Sequence, residues 1–538
     1  MLNTVEKVFS LADENISLNT FIKVANDFSF KIFITEHVRE KILCSRKLLE
    51  SFVEEGRVIY GVNTSMGGFV NYLVPIEYAE ELQNNLISSV ASNVGSYFSD
   101  NEVRAIMLAR IISLAKGVSA IGLENFMCYV EMFNRNIFPC IPQKGSLGAS
   151  GDLGPLAFIA QVGVGKWKAK FNGEVLEGKV ALEKSGLTPM KLSYKEGLAL
   201  INGTSGMVGL GVLNWQKAQQ LLTVYDFISA LTFEGLATKQ KPFDTRVHKR
   251  KQHKGQYICA ENISTILSDS KFIINEKEEE KIIQKQNDGR IKNLGNQIED
   301  AYSLRCTPQI LGPINDSLKF IETTLENELN SSSDNPLVIP EENEVFHNGH
   351  FHGQYISMAM DFLAINLTTL SNLSDRRIDR FMDKNNSNGL PPFLCKNNHG
   401  LRMGLMGGQF MSTSLTAENR SLCVPLSIQT LTSTGDFQDI VSMGLIAARR
   451  VKEIFENVCY IISFELLCAC QAIDLRGDFE DLASLSKLLF LEVRKIVPAL
   501  NQDVIITPYI EKIKDLLQNQ IFIESLKYNL TNKLVESN

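Results

Sequence analysis

A glycine-rich turn near residue 150 has the residue types needed for a backbone cyclisation. Residues 145–157 read GSLGASGDLGPLA, with Ala149-Ser150-Gly151 at the centre. The amide nitrogen after the serine can reach the alanine carbonyl only where side chains are small and a glycine leaves φ free. Loss of water from the serine then leaves an exocyclic methylene, an electrophile that no ordinary side chain supplies. The alternative is a plain turn that begins a helix, with Asp152 near the helix N-terminus.

This stretch closely resembles the signature of the histidine, phenylalanine and tyrosine ammonia-lyases and the related aminomutases. In those enzymes an Ala-Ser-Gly tripeptide cyclises and dehydrates to 4-methylideneimidazole-5-one (MIO). The resemblance implies that Ala149, Ser150 and Gly151 form this group and that no external cofactor is required. Helix N-termini directed at the ring would favour negative charge developing on it.

Further motifs resemble the same family, in family order and at similar spacing over nearly the whole chain. Residues 60–64 (YGVNT) resemble a mobile loop with a catalytic tyrosine, here Tyr60. Residues 198–204 (LALINGT) place Asn202 beside the electrophile, and residues 301–309 (AYSLRCTPQ) supply Tyr302 and Arg305. The set is completed by Asp334-Asn335-Pro336, Phe351, and Gln438-Asp439 followed by VSMG.

The resemblance also implies roles for these residues. The substrate amine attacks the methylene, which makes it a better leaving group. Tyr60 then removes a β-hydrogen and needs its pKa lowered by the site to do so. Arg305 binds the substrate carboxylate, which a bidentate guanidinium fits better than a lysine. Taken alone, Tyr60 is better interpreted as a packed loop residue, and Arg305 is equally a member of a structural ion pair.

Two positions bear on the choice of substrate. After LQNNL, histidine lyases and many tyrosine enzymes have Ser-His, and other tyrosine lyases have His-Leu; this chain has Ser89-Val90. Without that histidine, neither an imidazole nor a phenol hydroxyl has its usual partner, and selectivity for such substrates falls. Gln438 stands where histidine lyases carry glutamate. Both positions count against histidine, unless Val90 reflects drift and another residue makes the contact.

Four departures from the family pattern affect the site. Ser65-Met66 replaces the usual Gly-Phe of the mobile loop, Glu299 replaces a common glutamine, and His350 and Phe437 each replace an asparagine. Each departure alters charge or hydrogen bonding near the site. They leave the substrate and the outcome of the reaction open, whereas formation of the electrophile does not depend on them.

The leading hypothesis is an ammonia-lyase that converts phenylalanine or tyrosine to an arylacrylate. A 2,3-aminomutase is the nearest alternative, because NGTSGMVGLG and the MDF-containing helix resemble tyrosine aminomutases as much as lyases. Loop closure and the residence time of the intermediate separate the two outcomes. Histidine ammonia-lyase comes next. A non-catalytic relative is a further alternative, against which the intact tripeptide, Tyr60, Tyr302 and Arg305 all argue.

Long amphipathic helices must position these residues. Ile356, Met360, Leu363, Leu367 and Leu370 form one apolar stripe within residues 354–383. Similar patterns run through residues 214–236, 315–329 and 441–473, and residues 170–175 predict a strand turn at Phe171-Asn172-Gly173. These patterns predict a mainly α, long-helix bundle with a smaller mixed N-terminal part that carries the MIO group, an ammonia-lyase-like fold. The expected parts are residues 1–205, 206–480 and 481–538.

Composition and charge exclude several partner classes. The 538 residues are 44% hydrophobic with a net charge of -7, so neither nucleic acid nor an anionic membrane is an expected partner. No secretory signal is visible, and the ten scattered cysteines are expected to be thiols in the cytoplasm. The apolar run 458–473, interrupted by Glu465 and Gln471, predicts a buried helix, with Glu465 either paired in the core or part of a site.

One histidine-rich stretch and two charge-rich stretches each have a structural interpretation as well as a functional one. His347, His350 and His352 in HNGHFH invite a metal hypothesis, but the usual carboxylate or cysteine support is absent, so no metal is expected. Residues 248–254 and 275–292 suggest solvated loops rather than a docking surface. The resemblance further implies a homotetramer with active sites shared among subunits, acting on an amino acid substrate.

Overall fold

The computed structural model describes residues 6–12, 14–294 and 297–537, and side chains up to residue 536. The chain is 59% helical with few strands, which confirms the mainly α prediction. The α-helices of the described residues are α1 (Leu18–Asn26), α2 (Glu36–Glu54), α3 (Ala79–Ser89), α4 (Asp100–Leu114), α5 (Leu123–Asn134), α6 (Leu153–Gly163), α7 (Gly178–Lys184), α8 (Glu196–Ile201), α9 (Ser205–Gly235), α10 (Thr245–His248), α11 (Lys254–Ile266), α12 (Glu276–Lys285), α13 (Tyr302–Arg305), α14 (Thr307–Leu329), α15 (Gln354–Met382), α16 (Met406–Leu422), α17 (Gly444–Arg476), α18 (Ser484–Ile496), α19 (Thr507–Leu517) and α20 (Gln520–Ser537). Short 3₁₀ turns lie at Gly67–Phe69, Ile76–Tyr78, Lys241–Phe243, Pro340–Glu342, Pro392–Leu394 and Phe479–Asp481.

The strands are short and form small, separate sheets. They are β1 (Lys7–Leu11), β2 (Phe30–Ile34), β3 (Val94–Tyr97), β4 (Phe138–Pro139), β5 (Pro142–Lys144), β6 (Lys168–Phe171), β7 (Glu174–Glu177), β8 (Leu337–Ile339) and β9 (Glu344–Phe346). Strands β1 and β2 pair in parallel, whereas β3–β5, β4–β6–β7 and β8–β9 are antiparallel. The predicted turn is present between β6 and β7, where Asn172 and Gly173 both have positive φ.

The chain divides into two compact units. Within the described residues, the first unit comprises the chain up to Trp215 together with Phe320–Phe362 and Pro425–Val451. The second unit comprises Gln216–Lys319, Leu363–Val424 and the chain from Lys452 onward. The units are therefore assembled from alternating segments, and the long helices α9, α14, α15 and α17 contribute residues to both.

In the first unit, buried apolar helices surround the glycine-rich turn. Helix α4 begins with a capping box between Ser99 and Glu102 and is buried from Glu102 to its end. Helix α6, which follows the turn directly, is buried from Gly154 to Gly163. Helix α6 is apolar on nearly every face, and such a helix is stable only inside a core.

The predicted apolar stripe of α15 is confirmed, because its five residues are all at most 3% exposed. Helix α17 includes the predicted buried run and is long and apolar enough to cross a membrane by length and composition. However, 83% of its most apolar 18-residue window is buried inside the protein. Glu465 in this helix forms an ion pair with Arg377, so pairing in the core is the correct alternative for that residue.

Two helices begin earlier than their apolar periodicity predicts. Helix α9 begins at Ser205 rather than near residue 214, and α14 begins at Thr307 rather than near residue 315. The early part of α9 packs through glycines instead of large side chains. A Cβ on Gly209 would lie 2.8 Å from the backbone of Ala105 in α4. Periodicity of large apolar residues does not detect this kind of contact.

Candidate active site

A cavity of about 930 Å³ opens beside Ser150 in the first unit. Its walls come from the turn at 150, the loop 58–70, the end of α3, the start of α6, α8 and the segments near 347 and 437. The lining residues are Val58, Tyr60, Thr64, Met66, Gly67, Gly68, Phe69, Val70, Leu86, Ser89, Val90, Ser150, Leu153, Leu198, Asn202, Asn335, His347, Asn348, Phe351, Thr434, Gly435, Phe437 and Gln438. Most are apolar side chains or glycines, and the volume suits one small ligand.

The Ala149-Ser150-Gly151 turn is held in place by backbone on several sides. Ser150 has φ +58° and Gly151 has φ +76°, which L side chains rarely adopt. A Cβ on Gly151 would collide with the carbonyl of Gly203, and the amide of Asp152 donates to that same carbonyl at 2.7 Å. A Cβ on Gly148 would lie 2.7 Å from the Met443 nitrogen. Glycine is therefore required at positions 148 and 151 by space as well as by φ.

Asp152 connects this turn to helix α9. It is fully buried, and its carboxylate accepts a hydrogen bond from the Met207 amide at 2.7 Å at the N-terminus of α9. Burial raises the pKa of the Asp152 carboxyl to about 7, against lowering by hydrogen bonds from the Met207 and Gly206 amides. The side chain does not cap α6, which directly follows it. Asp152 nevertheless occupies the N-cap position of α6, so the turn does begin a helix.

The residues around the tripeptide fit the group that the sequence implies. The turn is tight, and Gly148 and Gly151 leave no side chain in the crowded space around it. Of the tripeptide, only Ser150 lines the cavity. Gln438 Nε2 donates to Ser150 Oγ at 3.0 Å, and Gln438 Oε1 accepts from Ser433 at 3.1 Å. Gln438 thus has a fixed amide orientation and contacts the oxygen that dehydration would remove.

Tyr60 lies on the loop at the cavity, with its hydroxyl accepting a hydrogen bond from the Gly67 amide at 3.2 Å. Its own amide donates to His347 Nε2 at 3.1 Å. Burial raises the pKa of the Tyr60 phenol, and the hydrogen bond from Gly67 opposes this only in part. The lowered pKa expected for a base is therefore absent in this arrangement. At His347 burial lowers the pKa of the imidazole, and the positive charge of Arg57 lowers it further.

Gln83 is a site-positioning residue that the sequence did not reveal. Its side chain is fully buried, its Nε2 donates to the Gly61 carbonyl at 3.0 Å, and its Oε1 accepts from the Leu198 amide at 3.0 Å. One amide therefore joins the base of the Tyr60 loop to helix α8, which carries Leu198 into the cavity wall. Gln83 lies in LQNNL, the segment used above only to locate the substrate-choice position.

A buried charged pair fixes the orientation of Asn202. Asn202 Nδ2 donates to Asp334 Oδ1 and to the Asn335 carbonyl, both at 3.0 Å. Lys195 Nζ binds the other Asp334 oxygen at 2.7 Å, and both side chains are fully buried. Because both amide protons are directed at these acceptors, Asn202 Oδ1 is left buried without a partner. An unpaired acceptor at a cavity wall is a position for a ligand donor.

Ser89, Val90 and Phe351 line the cavity, as does Phe437, one of the departures noted above. The Ser89 hydroxyl donates to the Leu86 carbonyl at 2.9 Å and is therefore already satisfied. Val90 presents no polar group. The substrate-choice position consequently offers an apolar surface to the cavity.

Six of the site residues predicted from the sequence do not line this cavity, namely Ala149 and Gly151 on either side of Ser150, and His350, Glu299, Tyr302 and Arg305. His350 is absent from the lining, and its amide donates to Asn348 Oδ1 at 2.8 Å. Glu299, Tyr302 and Arg305 lie in the second unit, where Arg305 Nη1 forms an ion pair with Glu299 at 2.6 Å and its guanidinium lies 5.1 Å from the Tyr302 ring centre. Tyr302 is 70% exposed. Within one chain, these three form a separate surface cluster.

The histidine-rich stretch does not supply a metal centre in the part of the chain that the structure describes. There, no three His, Cys, Asp or Glu side chains are grouped so as to hold a metal ion. His347 instead accepts a hydrogen bond from the amide of Tyr60, which places it in the wall of the cavity.

Comparison with known proteins gives consistent matches over nearly the whole chain. The aromatic amino acid lyase family model matches residues 16–495. The solved structure of Pantoea agglomerans phenylalanine aminomutase is 56% identical, with a TM-score of 0.92, covering 96% of this chain and 99% of that one. A tyrosine ammonia-lyase of Cupriavidus metallidurans is 42% identical over 92% of this chain and 93% of its own length. A histidine ammonia-lyase of Caldanaerobacter subterraneus is 39% identical, over 90% and 91%.

Proposed function

The chain belongs to the aromatic amino acid lyase family, and we propose that this member removes ammonia from L-phenylalanine and returns it to the β-carbon. The enzyme class, a carbon–nitrogen lyase of the ammonia-lyase and aminomutase group, follows from the family. The substrate and the fate of the ammonia are the proposal. Release of the arylacrylate, the lyase outcome, uses the same elimination step.

The apolar cavity beside Ser150 is the observation that carries the choice of phenylalanine. At the substrate-choice position Val90 is apolar and the Ser89 hydroxyl is occupied by the Leu86 carbonyl. Phe69, Leu86 and Phe351 add further apolar surface to the wall. A polar ring would lose its hydrogen bonds to water there without replacement, whereas a phenyl ring would not. The 56% identity to a phenylalanine aminomutase supports both parts of the proposal.

MIO formed from Ala149-Ser150-Gly151 supplies an electrophilic methylene for the substrate amine. Gln438 contacts the Ser150 position directly and holds its amide in one orientation through Ser433. Asn202 Oδ1 accepts an N–H of the amine, because its own amide protons are held by Asp334 and Asn335. Loop residues 66–70 form part of the cavity wall beside these groups.

Tyr60 is the proposed base for the β-hydrogen. In the loop arrangement seen here its phenol is protonated, because burial raises its pKa and the Gly67 amide contributes only one hydrogen bond. A cationic or hydrogen-bond-donating group must therefore approach Tyr60 before it can accept a proton. Among the residues that the structure describes, no arginine or lysine lines the cavity.

We assign the missing groups to another copy of the chain in a homotetramer. Tyr302 and Arg305 belong to the second unit and are not among the lining residues of the cavity. An arginine supplied by a neighbouring subunit would bind the substrate carboxylate, and Tyr302 would complete the wall. All ten cysteines are free thiols, which agrees with a cytoplasmic location.

Histidine is the second candidate substrate, because histidine ammonia-lyases are numerous among the curated relatives. His347 and Asn348 in the cavity wall are the polar groups that could meet an imidazole. The decisive experiment incubates the purified protein with phenylalanine, tyrosine and histidine separately and separates α-amino acid, β-amino acid and acrylate by chromatography. β-Phenylalanine supports the proposal, cinnamate alone reduces it to the lyase, and urocanate alone overturns the choice of substrate.

A further inference from the structure

The turn that carries Tyr302 and Arg305 has little stability of its own. Helix α13 (Tyr302–Arg305) is a single turn, and no side chain caps its N-terminus at Ala301. One isolated helical turn fixes several dihedral angles for very few hydrogen bonds and is unfavourable in water. Something outside the turn must therefore hold it, and with it the directions in which the two side chains point.

Arg377 of helix α15 binds the C-terminal end of this turn. Its Nε donates to the Ser303 carbonyl at 2.9 Å, and its Nη2 donates to Thr307 Oγ1 at 2.7 Å. The same Thr307 hydroxyl donates to the Leu304 carbonyl at 2.7 Å. Two carbonyls that a one-turn helix leaves unpaired are thus satisfied, and a positive charge lies at its C-terminal end, where the helix dipole favours it.

The opposite side of the Arg377 guanidinium is fixed as well. Nη1 binds Glu465 Oε1 at 3.2 Å and the Ser229 hydroxyl at 2.9 Å, and both ionic side chains are fully buried. Glu465 is held in turn by Thr232 at 2.9 Å and by Tyr225 at 3.1 Å. The guanidinium is therefore connected to the core of the second unit and to the surface turn at once.

We propose that Arg377, anchored by Glu465, is a positioning residue that sets the geometry of Tyr302 and Arg305 for the reaction. This rests on the proposed function, in which those two side chains complete the active site of a neighbouring copy. A buried ion pair is weak evidence for stability by itself. Here its planar guanidinium joins two acceptors on the turn, a task for which lysine lacks the geometry.

The principal variant is Arg377→Lys, which keeps a positive charge beside Glu465 but cannot bind Ser303 and Thr307 together. The matched control is Arg376→Lys on the same helix, because Arg376 binds Asp375 and Asp379 and is 55% exposed. A second pair keeps the test valid should Arg377→Lys fail to fold. Thr307→Val removes only the hydroxyl between Arg377 and Leu304, and Thr307→Ser restores it.

We expect Arg377→Lys to lower kcat/KM for L-phenylalanine by about 10- to 100-fold, mainly through KM, because a misplaced arginine weakens carboxylate binding. Thr307→Val should lower it about fivefold, the effect of one hydrogen bond, and Thr307→Ser less than about twofold. The ultraviolet absorbance of MIO should be unchanged in all four variants. Hydrogen exchange at the amides of Arg305 and Cys306 should be faster in Arg377→Lys and Thr307→Val only.

Faster exchange at this turn together with a raised KM supports the proposal. An unchanged KM in both Arg377→Lys and Thr307→Val overturns it. A loss of kcat in Arg377→Lys that the control Arg376→Lys shows to the same extent also overturns it. If the wild-type protein converts no aromatic amino acid, the proposed function fails, and exchange at the turn alone decides whether Arg377 holds it. In that case unchanged exchange overturns the positioning role.

Discussion

The turn at Ser150 and the loop of Tyr60 face the same cavity but are held in different ways. Backbone surrounds the turn, and a Cβ at Gly148 or Gly151 would meet Ser442, Met443 or Gly203. On the loop, a Cβ at Gly67 would find its nearest atom at 3.9 Å, and Phe69 is 66% exposed. The geometry of the electrophile is therefore fixed by the fold. The ionisation of the tyrosine depends on a segment that has open space at Gly67 and an exposed Phe69.

The largest expected effect comes from removing the electrophile. Ser150→Ala should lower kcat by at least about a thousandfold, because no other side chain in the cavity wall replaces the covalent route. MIO absorbance should vanish while the melting temperature stays near that of wild type. Ser51→Ala on helix α2, whose hydroxyl donates to the Leu48 carbonyl, is the control. Full activity in Ser150→Ala would refute the electrophile.

A glycine-to-alanine substitution in the turn at Ser150 and another in the loop of Tyr60 test whether the turn is the more tightly constrained of the two. Gly151→Ala should abolish MIO absorbance and lower activity at least about a hundredfold, since the new Cβ collides with Gly203. Gly67→Ala has open space and only the strain of φ +57°, about 1–2 kcal/mol, and should retain most activity. Comparable losses in the two variants would show that the loop is as tightly constrained as the turn.

Tyr60→Phe should lower kcat by about 10²- to 10⁴-fold, the usual contribution of a general base, with MIO absorbance intact. Because burial raises the pKa of Tyr60, its base form increases as pH rises from neutral through the alkaline range. Wild-type kcat/KM should therefore rise with pH over that range, and the rise should disappear in Tyr60→Phe. An identical pH profile in both proteins would assign the base to another group.

The smallest expected effect concerns Asp152, which ties the turn to α9. Its folded pKa of about 7 lies above the ordinary value of 3.8, so the folded state binds the proton more tightly than the unfolded state does. Stability from this group is present at low pH and is lost as pH rises from about 4 to about 7. The melting temperature of wild type minus that of Asp152→Asn should therefore be larger at pH 5 than at pH 8. A difference independent of pH would mean that Asp152 stays charged.

Local periodicity and turn residues were enough to predict three features of the fold. These are the apolar stripe of α15, the turn between β6 and β7, and the buried run of α17. The early starts of α9 and α14 were not predictable, since the added residues pack through glycine or include Pro313. At the site, the order of short motifs indicated most of the cavity wall. His350 does not line that wall, although its neighbours Asn348 and Phe351 do.

The sequence by itself indicated the family, the mainly α fold and the tripeptide that we propose forms the electrophile, because these depend on residue types at fixed spacing. Only the tertiary structure decided which distant groups meet. In the folded chain Gln83 forms hydrogen bonds with both Gly61 and Leu198, and Asp334 orients the amide of Asn202. Arg377 donates a hydrogen bond to Ser303 in the turn at 302–305. Such contacts form between residues more than 20 positions apart. Their partners are chosen by packing and by the need to satisfy buried polar groups, which no local pattern encodes.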